Sequence, residues 1–279
     1  MSPIDRETRE LVQALRDSPR HGPFIRAVEC AREPRAPGRD LRLAIVPGIL
    51  YREHPETGAD GQLLREVAAA RGWSIERVEL AETGRLTQNA AALLDWLERR
   101  AGQGPWVLVS LSKGAAEVWH ALQTPRAAKA FARVSAWVSV SGIPLGTAFL
   151  DHVVENPLRR VGMRALCAWK GWDYGFLADY ARGRAPARAV SLPDELRHLR
   201  VYQVAGFPTS QDFLDRRSRA SHRRLAARGP NDGFVLLREL CELPGVVYPV
   251  AGADHYLRQI DRGALVARVL DVIRDHEAE

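Results

Sequence analysis

The chain has 279 residues, 46% apolar and 27% charged, with a formal net charge of +6. That is long enough for one sizeable core, or a core with a small accessory segment, and no apolar run approaches the roughly 20 residues needed to cross a bilayer. Three scattered cysteines (Cys30, Cys167 and Cys241) provide neither a disulfide framework nor the paired spacing of a zinc site.

The first segment, to about residue 40, reads as an amphipathic helix followed by a Pro/Arg-rich connector from Glu33 to Asp40. Its opening lacks the order of a secretion signal, so a cytoplasmic setting is expected. From Leu41 the chain alternates. An apolar strand runs from Leu41 to Val46 and ends at Pro47-Gly48. A helix covers Gly61 to Arg71, with Leu63, Leu64, Val67 and Ala68 at helical spacing. A strand from Trp73 to Leu80 precedes a helix from Thr87 to Arg100, with Thr87 as its expected cap. Further strands are predicted at Trp106–Leu111, Val134–Val140, Leu199–Ala205 and Val246–Val250, and a closing helix at Asp261–Ile273. Short apolar strands separated by helices predict an α/β fold, a mostly parallel sheet covered on both faces.

The interval between the strands at Val134 and Leu199 carries Trp169, Trp172, Tyr174 and Phe176 with few strand signals. Two readings stand for these aromatics: they line an apolar substrate pocket under a helical lid, or they pack that segment onto the body.

The stretch WVLVSLSKGAAEVW places a serine, Ser112, where an apolar strand turns sharply into a helix. Such a corner projects a hydroxyl away from the sheet and demands small neighbours, here Ser110, Gly114 and Ala115. The early N–H groups of the helix that follows lack partners and favour negative charge. The backbone N–H of Lys113 is therefore a candidate oxyanion donor, its ammonium expected along the surface. The Pro47-Gly48-Ile49 loop is the candidate for a second donor, through Gly48 or Ile49. No Gly-rich span precedes Ser112 and no GxGxxG series follows the first strand, which argues against phosphate or dinucleotide binding.

A serine nucleophile needs a base, and the base an acid. Among the downstream histidines, His255 follows the last strand directly in VVYPVAGADHYL and is the candidate base. Asp254 beside it is a poor partner because adjacent side chains diverge. Asp232, in the turn-rich GPNDGFVLL, is the preferred acid, and Asp212 the alternative.

Together SLSKG, NDGFV and GADH, with SVSGIPLGTAF at Ser139–Phe149, give the chain a resemblance to the α/β-hydrolase superfamily, particularly its lipase and esterase-like members. Ser110 departs from the glycine usual there. The resemblance implies a Ser112–Asp232–His255 triad and a division into an N-terminal segment (1–40), a core (41–141 and 198–279) and a helical lid (142–197). It implies acyl transfer to water on a small-molecule or lipid-like ester, with no metal and no cofactor. A thioesterase acting on a carrier-bound or CoA-bound acyl chain is the first alternative. Its partner is an acidic carrier protein, met by Arg216, Arg217, Arg219, Arg223, Arg224 and Arg228; a solvated helix face explains the same arginines. A non-catalytic binding protein with the same fold is the second. Nucleic acid and integral membrane contact are not expected, because no aromatic–arginine module and no spanning segment is present.

Overall fold

The computed structural model describes residues 2–31, 41–183 and 191–276; the Glu33–Asp40 connector lies outside them. The N-terminal segment forms two helices, α1 (Pro3–Asp17) and α2 (Gly22–Cys30). Ser2 caps α1 by accepting the Asp5 N–H, and Pro19 falls in the break between the two. Six strands follow: β1 (Arg42–Val46), β2 (Ser74–Arg77), β3 (Trp106–Leu111), β4 (Val134–Val140), β5 (Arg200–Phe207) and β6 (Val246–Ala251). Between β1 and β4 lie α3 (Gln62–Arg71), α4 (Leu86–Arg99), α5 (Gly114–Leu122) and α6 (Ala127–Ala130). Between β4 and β5 lie α7 (Ala148–Glu155), α8 (Pro157–Lys170) and α9 (Gly175–Tyr180). The chain closes with α10 (Arg216–Leu225), α11 (Leu237–Glu242) and α12 (Arg262–His276).

The strands form one sheet in the order β2-β1-β3-β4-β5-β6, every pairing parallel. Parallel strands covered on both faces must be apolar throughout, and β3 is buried from Trp106 to Ser110. Alternation along the strands sorts the layers. Val109, Val138 and Val204 face Leu64 of α3 and Leu265 of α12. Trp137, one residue from Val138, stacks on Trp119 of α5, with ring centroids 6.1 Å apart. Because β1 continues to β2 on one side and β3 lies on its other side, the strand order reverses between β1 and β3. The crevice beyond the carboxyl ends of two such strands is where open α/β sheets bind ligands.

The expected cap of α4 is different. Thr87 lies inside the helix, and the Leu86 N–H donates instead to Asp179 of α9 at 3.1 Å. A partner so distant in sequence leaves no local capping signal.

Candidate active site

The corner between β3 and α5 has the backbone its sequence demands. Ser112 sits at φ 45°, the left-handed region that a non-glycine residue occupies only when its surroundings hold it there. Its N–H donates to Val140 O at 3.1 Å, and its carbonyl accepts from Ala115 and Ile143. Gly114 is required by contact rather than by dihedral. A Cβ there would lie 2.5 Å from the Val46 carbonyl oxygen, so only glycine lets α5 start against the end of β1. Ser110, two residues before Ser112, is fully buried and accepts the Trp137 indole N–H at 2.8 Å. The hydroxyl gives that buried N–H its partner.

His255 is held by the loop after β6. That loop lies across β5, where a Cβ on Gly206 would meet the Ala253 carbonyl at 2.3 Å. Asp254, fully buried, accepts the Tyr256 N–H and pairs with Arg258 at 2.9 Å. It fixes the loop and does not reach the imidazole it adjoins. Asp232 reaches it from the turn between α10 and α11. Its Oδ1 accepts the N–H groups of Phe234 and Val235 at 2.8 and 2.7 Å, and its Oδ2 lies 2.7 Å from His255 Nδ1. The His255 N–H also donates to the Asp232 carbonyl at 3.2 Å. On the other side of the ring, Nε2 lies 3.1 Å from Ser112 Oγ. Asp212 is occupied elsewhere, accepting from the N–H and hydroxyl of Thr209.

Ser112, His255 and Asp232 are thus one continuous hydrogen-bonded line. Asp232 and His255 are buried, 1% and 5% exposed, and the line opens at Ser112 into a cavity of about 530 Å³. With Nδ1–H held toward a carboxylate, Nε2 is the lone-pair nitrogen placed to accept a hydrogen bond from the Ser112 hydroxyl. Phe234 lies against the imidazole, ring centroids 4.6 Å apart, and lines the cavity with Tyr256 and Leu257. The sequence carries no separate signal for these wall residues, although all three sit within two positions of Asp232 or His255. Burial pushes the Tyr256 phenol above its ordinary value.

The candidate oxyanion donors separate. The Gly48 N–H is committed to Ala59 O at 2.9 Å, so Gly48 is not a free donor. Among the described residues the N–H groups of Lys113 and Ile49 make no hydrogen bond, and Ile49 lines the cavity with Ser112. The Lys113 ammonium is not along the surface. It is buried, paired with Glu117 on the next turn of α5, and lies 5.2 Å from the Tyr180 ring centroid. Glu117 also accepts from Asn89 at 2.6 Å and from the Tyr180 hydroxyl at 2.8 Å.

The four aromatics proposed to bind substrate do not line this cavity. Phe176 is buried in the core, Trp172 and Tyr174 pack against it, and Trp169 is 77% exposed. Each packs against the body or faces water. No residue of 142–183 lines the cavity. Among the described residues, no group of three His, Cys, Asp or Glu side chains is placed to hold a metal ion, and no helix is long and apolar enough to cross a membrane.

No protein-family model and no curated protein matches the sequence. Solved structures do match. A metagenomic carboxyl esterase superposes with a TM-score of 0.63 at 20% identity, over 97% of this chain and 91% of that one. A Bacillus licheniformis lipase in its mature form gives 0.63 at 18% identity, over 88% of this chain and 95% of the other. Those superpositions, on the parallel sheet described above, show that this chain has the α/β-hydrolase fold.

Proposed function

We propose that the chain is a serine-dependent carboxylic-ester hydrolase that transfers an acyl group to water through an acyl-Ser112 intermediate. The carrying observation is the line Ser112 Oγ–His255 Nε2–His255 Nδ1–Asp232 Oδ2, with separations of 3.1 and 2.7 Å, opening into a cavity. In this reading His255 takes the Ser112 proton as the oxygen attacks the acyl carbonyl. The N–H groups of Lys113 and Ile49 stabilise the oxyanion. Asp232 holds the ring and its positive form. His255 then protonates the departing alcohol, and water, deprotonated by the same ring, releases the acid. The reading requires neither metal nor organic cofactor. The cavity has the size of small-molecule sites, and apolar side chains such as Leu50, Leu63, Leu111 and Val266 in its wall suit a small or lipid-like acyl group. The chain is then a core of 41–141 and 198–279 with an insertion of 142–197, a division supported by three helices lying between β4 and β5.

The test is capture by a fluorophosphonate probe. Wild type should label and Ser112→Ala should not. Equal labelling of both at another serine would overturn the reading, and no labelling of wild type would favour a non-catalytic binder.

One observation favours a thioester hydrolase as the second reading. Arg217 lines the cavity, and its helix, α10, carries the exposed Arg216, Arg223 and Arg224, a face suited to an acidic carrier. Neutralising Arg223 and Arg224 should then raise KM for a carrier-bound thioester while sparing a small ester; equal effects on both would count against docking.

A further inference from the structure

An amphipathic helix at a protein surface ordinarily turns its apolar face inward. Helix α8, PLRRVGMRALCAWK, does so with only a small part of its apolar surface. It rests on the body through Cys167, its one buried residue, and Met163, which packs against the core. At 100° per residue, the opposite face is made by Leu158, Val161, Ala165 and Trp169, with Gly162 and Ala168 between them. Leu158 is 84% exposed, Val161 66% and Trp169 77%. Leu166 also lies at the surface, so four of the six exposed large apolar side chains among the described residues are on this one helix. Isolated exposed apolar residues need no explanation, but a contiguous stripe marks an interaction surface.

The edges of the stripe identify the partner. Arg164 borders one side and Arg159 and Lys170 the other, and α8 contains no carboxylate. We propose that α8 docks the protein on an anionic lipid surface, lying in the plane of the interface. The stripe would enter the boundary between headgroups and acyl chains, with Trp169 at the depth where indoles concentrate. The guanidinium and ammonium groups would reach back to lipid phosphates while their methylenes cover apolar surface. A helix of 14 residues is about 21 Å long, too short to span but long enough to lie flat. A second copy of the chain is a poorer occupant: two such faces brought together by a twofold axis would set basic edges against basic edges. Because α7, which leads into α8, contributes Phe149 to the cleft that shares Phe234 and Tyr256 with the Ser112 cavity, docking would bring the site close to the lipid. The inference rests on α8 and is independent of any chemistry at Ser112.

The test is co-sedimentation of the full chain with vesicles of phosphatidylcholine alone or mixed with phosphatidylglycerol. Binding to the anionic vesicles should be at least about tenfold tighter than to phosphatidylcholine, because basic residues are drawn to such a surface, and should weaken with salt. The variant Leu158→Ser/Trp169→Ser, whose changes face solvent and whose fold is checked by circular dichroism, should lose binding about tenfold or more. Ser112→Ala should bind as wild type does. Failure of wild type to bind anionic vesicles overturns the proposal. So does undiminished binding by the double variant, which would reduce the effect to net charge. A wild-type dimer by light scattering that becomes monomeric in the double variant, without vesicle binding, would assign the stripe to a second copy instead.

Discussion

Two buried hydrogen-bonded pairs flank Ser112, and they differ in what they leave open. His255–Asp232 ends in a ring nitrogen 3.1 Å from the serine hydroxyl, at the wall of the cavity. Lys113–Glu117 begins on the very next residue but turns away from the cavity, closed in by Asn89 and Tyr180. Both are almost wholly removed from water. A pair that keeps one titratable atom facing a cavity can exchange a proton with a ligand. A pair enclosed by further hydrogen bonds can only hold the backbone that carries it, here the first turn of α5 and, through Tyr180, the end of α9.

The largest effects should come from the open pair. With a small activated ester, Ser112→Ala and His255→Ala should each lower kcat/KM by about 10,000-fold or more. Asp232→Asn preserves the shape but offers the ring the wrong partner, and a loss of about 10,000-fold is expected in kcat. Asp212→Asn, which disturbs only the Thr209 turn, should stay within a few-fold of wild type. Steady-state kinetics of the four variants decide it, and equal losses at Asp212 and Asp232 would break the assignment of the acid.

The closed pair should respond in stability instead. Glu117→Gln leaves a buried ammonium without its counter-charge, and removing one partner of such a pair costs about 3–5 kcal/mol, readable as a lower urea midpoint. Replacing both, Lys113→Met/Glu117→Met, should recover much of that loss. Because the proposed oxyanion donor is the Lys113 N–H and not its ammonium, the double variant should keep kcat within about tenfold, well short of the loss from removing an oxyanion donor. A fall in kcat as large as that of His255→Ala would erase the distinction and give the ammonium a direct part in the chemistry.

The same contrast separates what is legible in the sequence from what is hidden there. Ser112, Asp232 and His255 lie in loops beside strand or helix ends, where short-range grammar is strong: an apolar strand, a small-residue turn, an Asp-Gly. The strands are legible for the same reason, β4 to the residue. Lys113 and Glu117, four apart on a helix, have the spacing of a solvated pair; their burial depends on Asn89 and Tyr180, 24 residues before Lys113 and 63 after Glu117. Gly48 fails as a donor because Ala59, from a loop without periodicity, takes its N–H. Trp169, Trp172, Tyr174 and Phe176 are conspicuous by composition, yet composition does not say which face of a helix meets the body. Contacts made at long sequence separation are the illegible part throughout.

The smallest predicted effect tests the closed pair through its phenol. Burial, reinforced by the neighbouring Glu117 carboxylate, raises the Tyr180 hydroxyl well above the ordinary value of 10.0. The native state therefore keeps a proton that the unfolded chain releases above about pH 10. The sign follows: the contribution of Tyr180 to stability is complete below that value and declines as the pH rises beyond it, because only the unfolded state gains by ionising. In Tyr180→Phe this part of the alkaline decline should disappear, although the variant is less stable at neutral pH, where Glu117 has lost a donor. Urea midpoints measured from about pH 8 to about pH 11 should fall less steeply for the variant than for wild type. Tyr256, also raised by burial but located at the cavity, supplies the control: Tyr256→Phe should leave the Tyr180 component in place. Parallel curves for wild type and Tyr180→Phe would mean that the hydroxyl is not enclosed, and the contrast between an open and a closed pair would lose its second member.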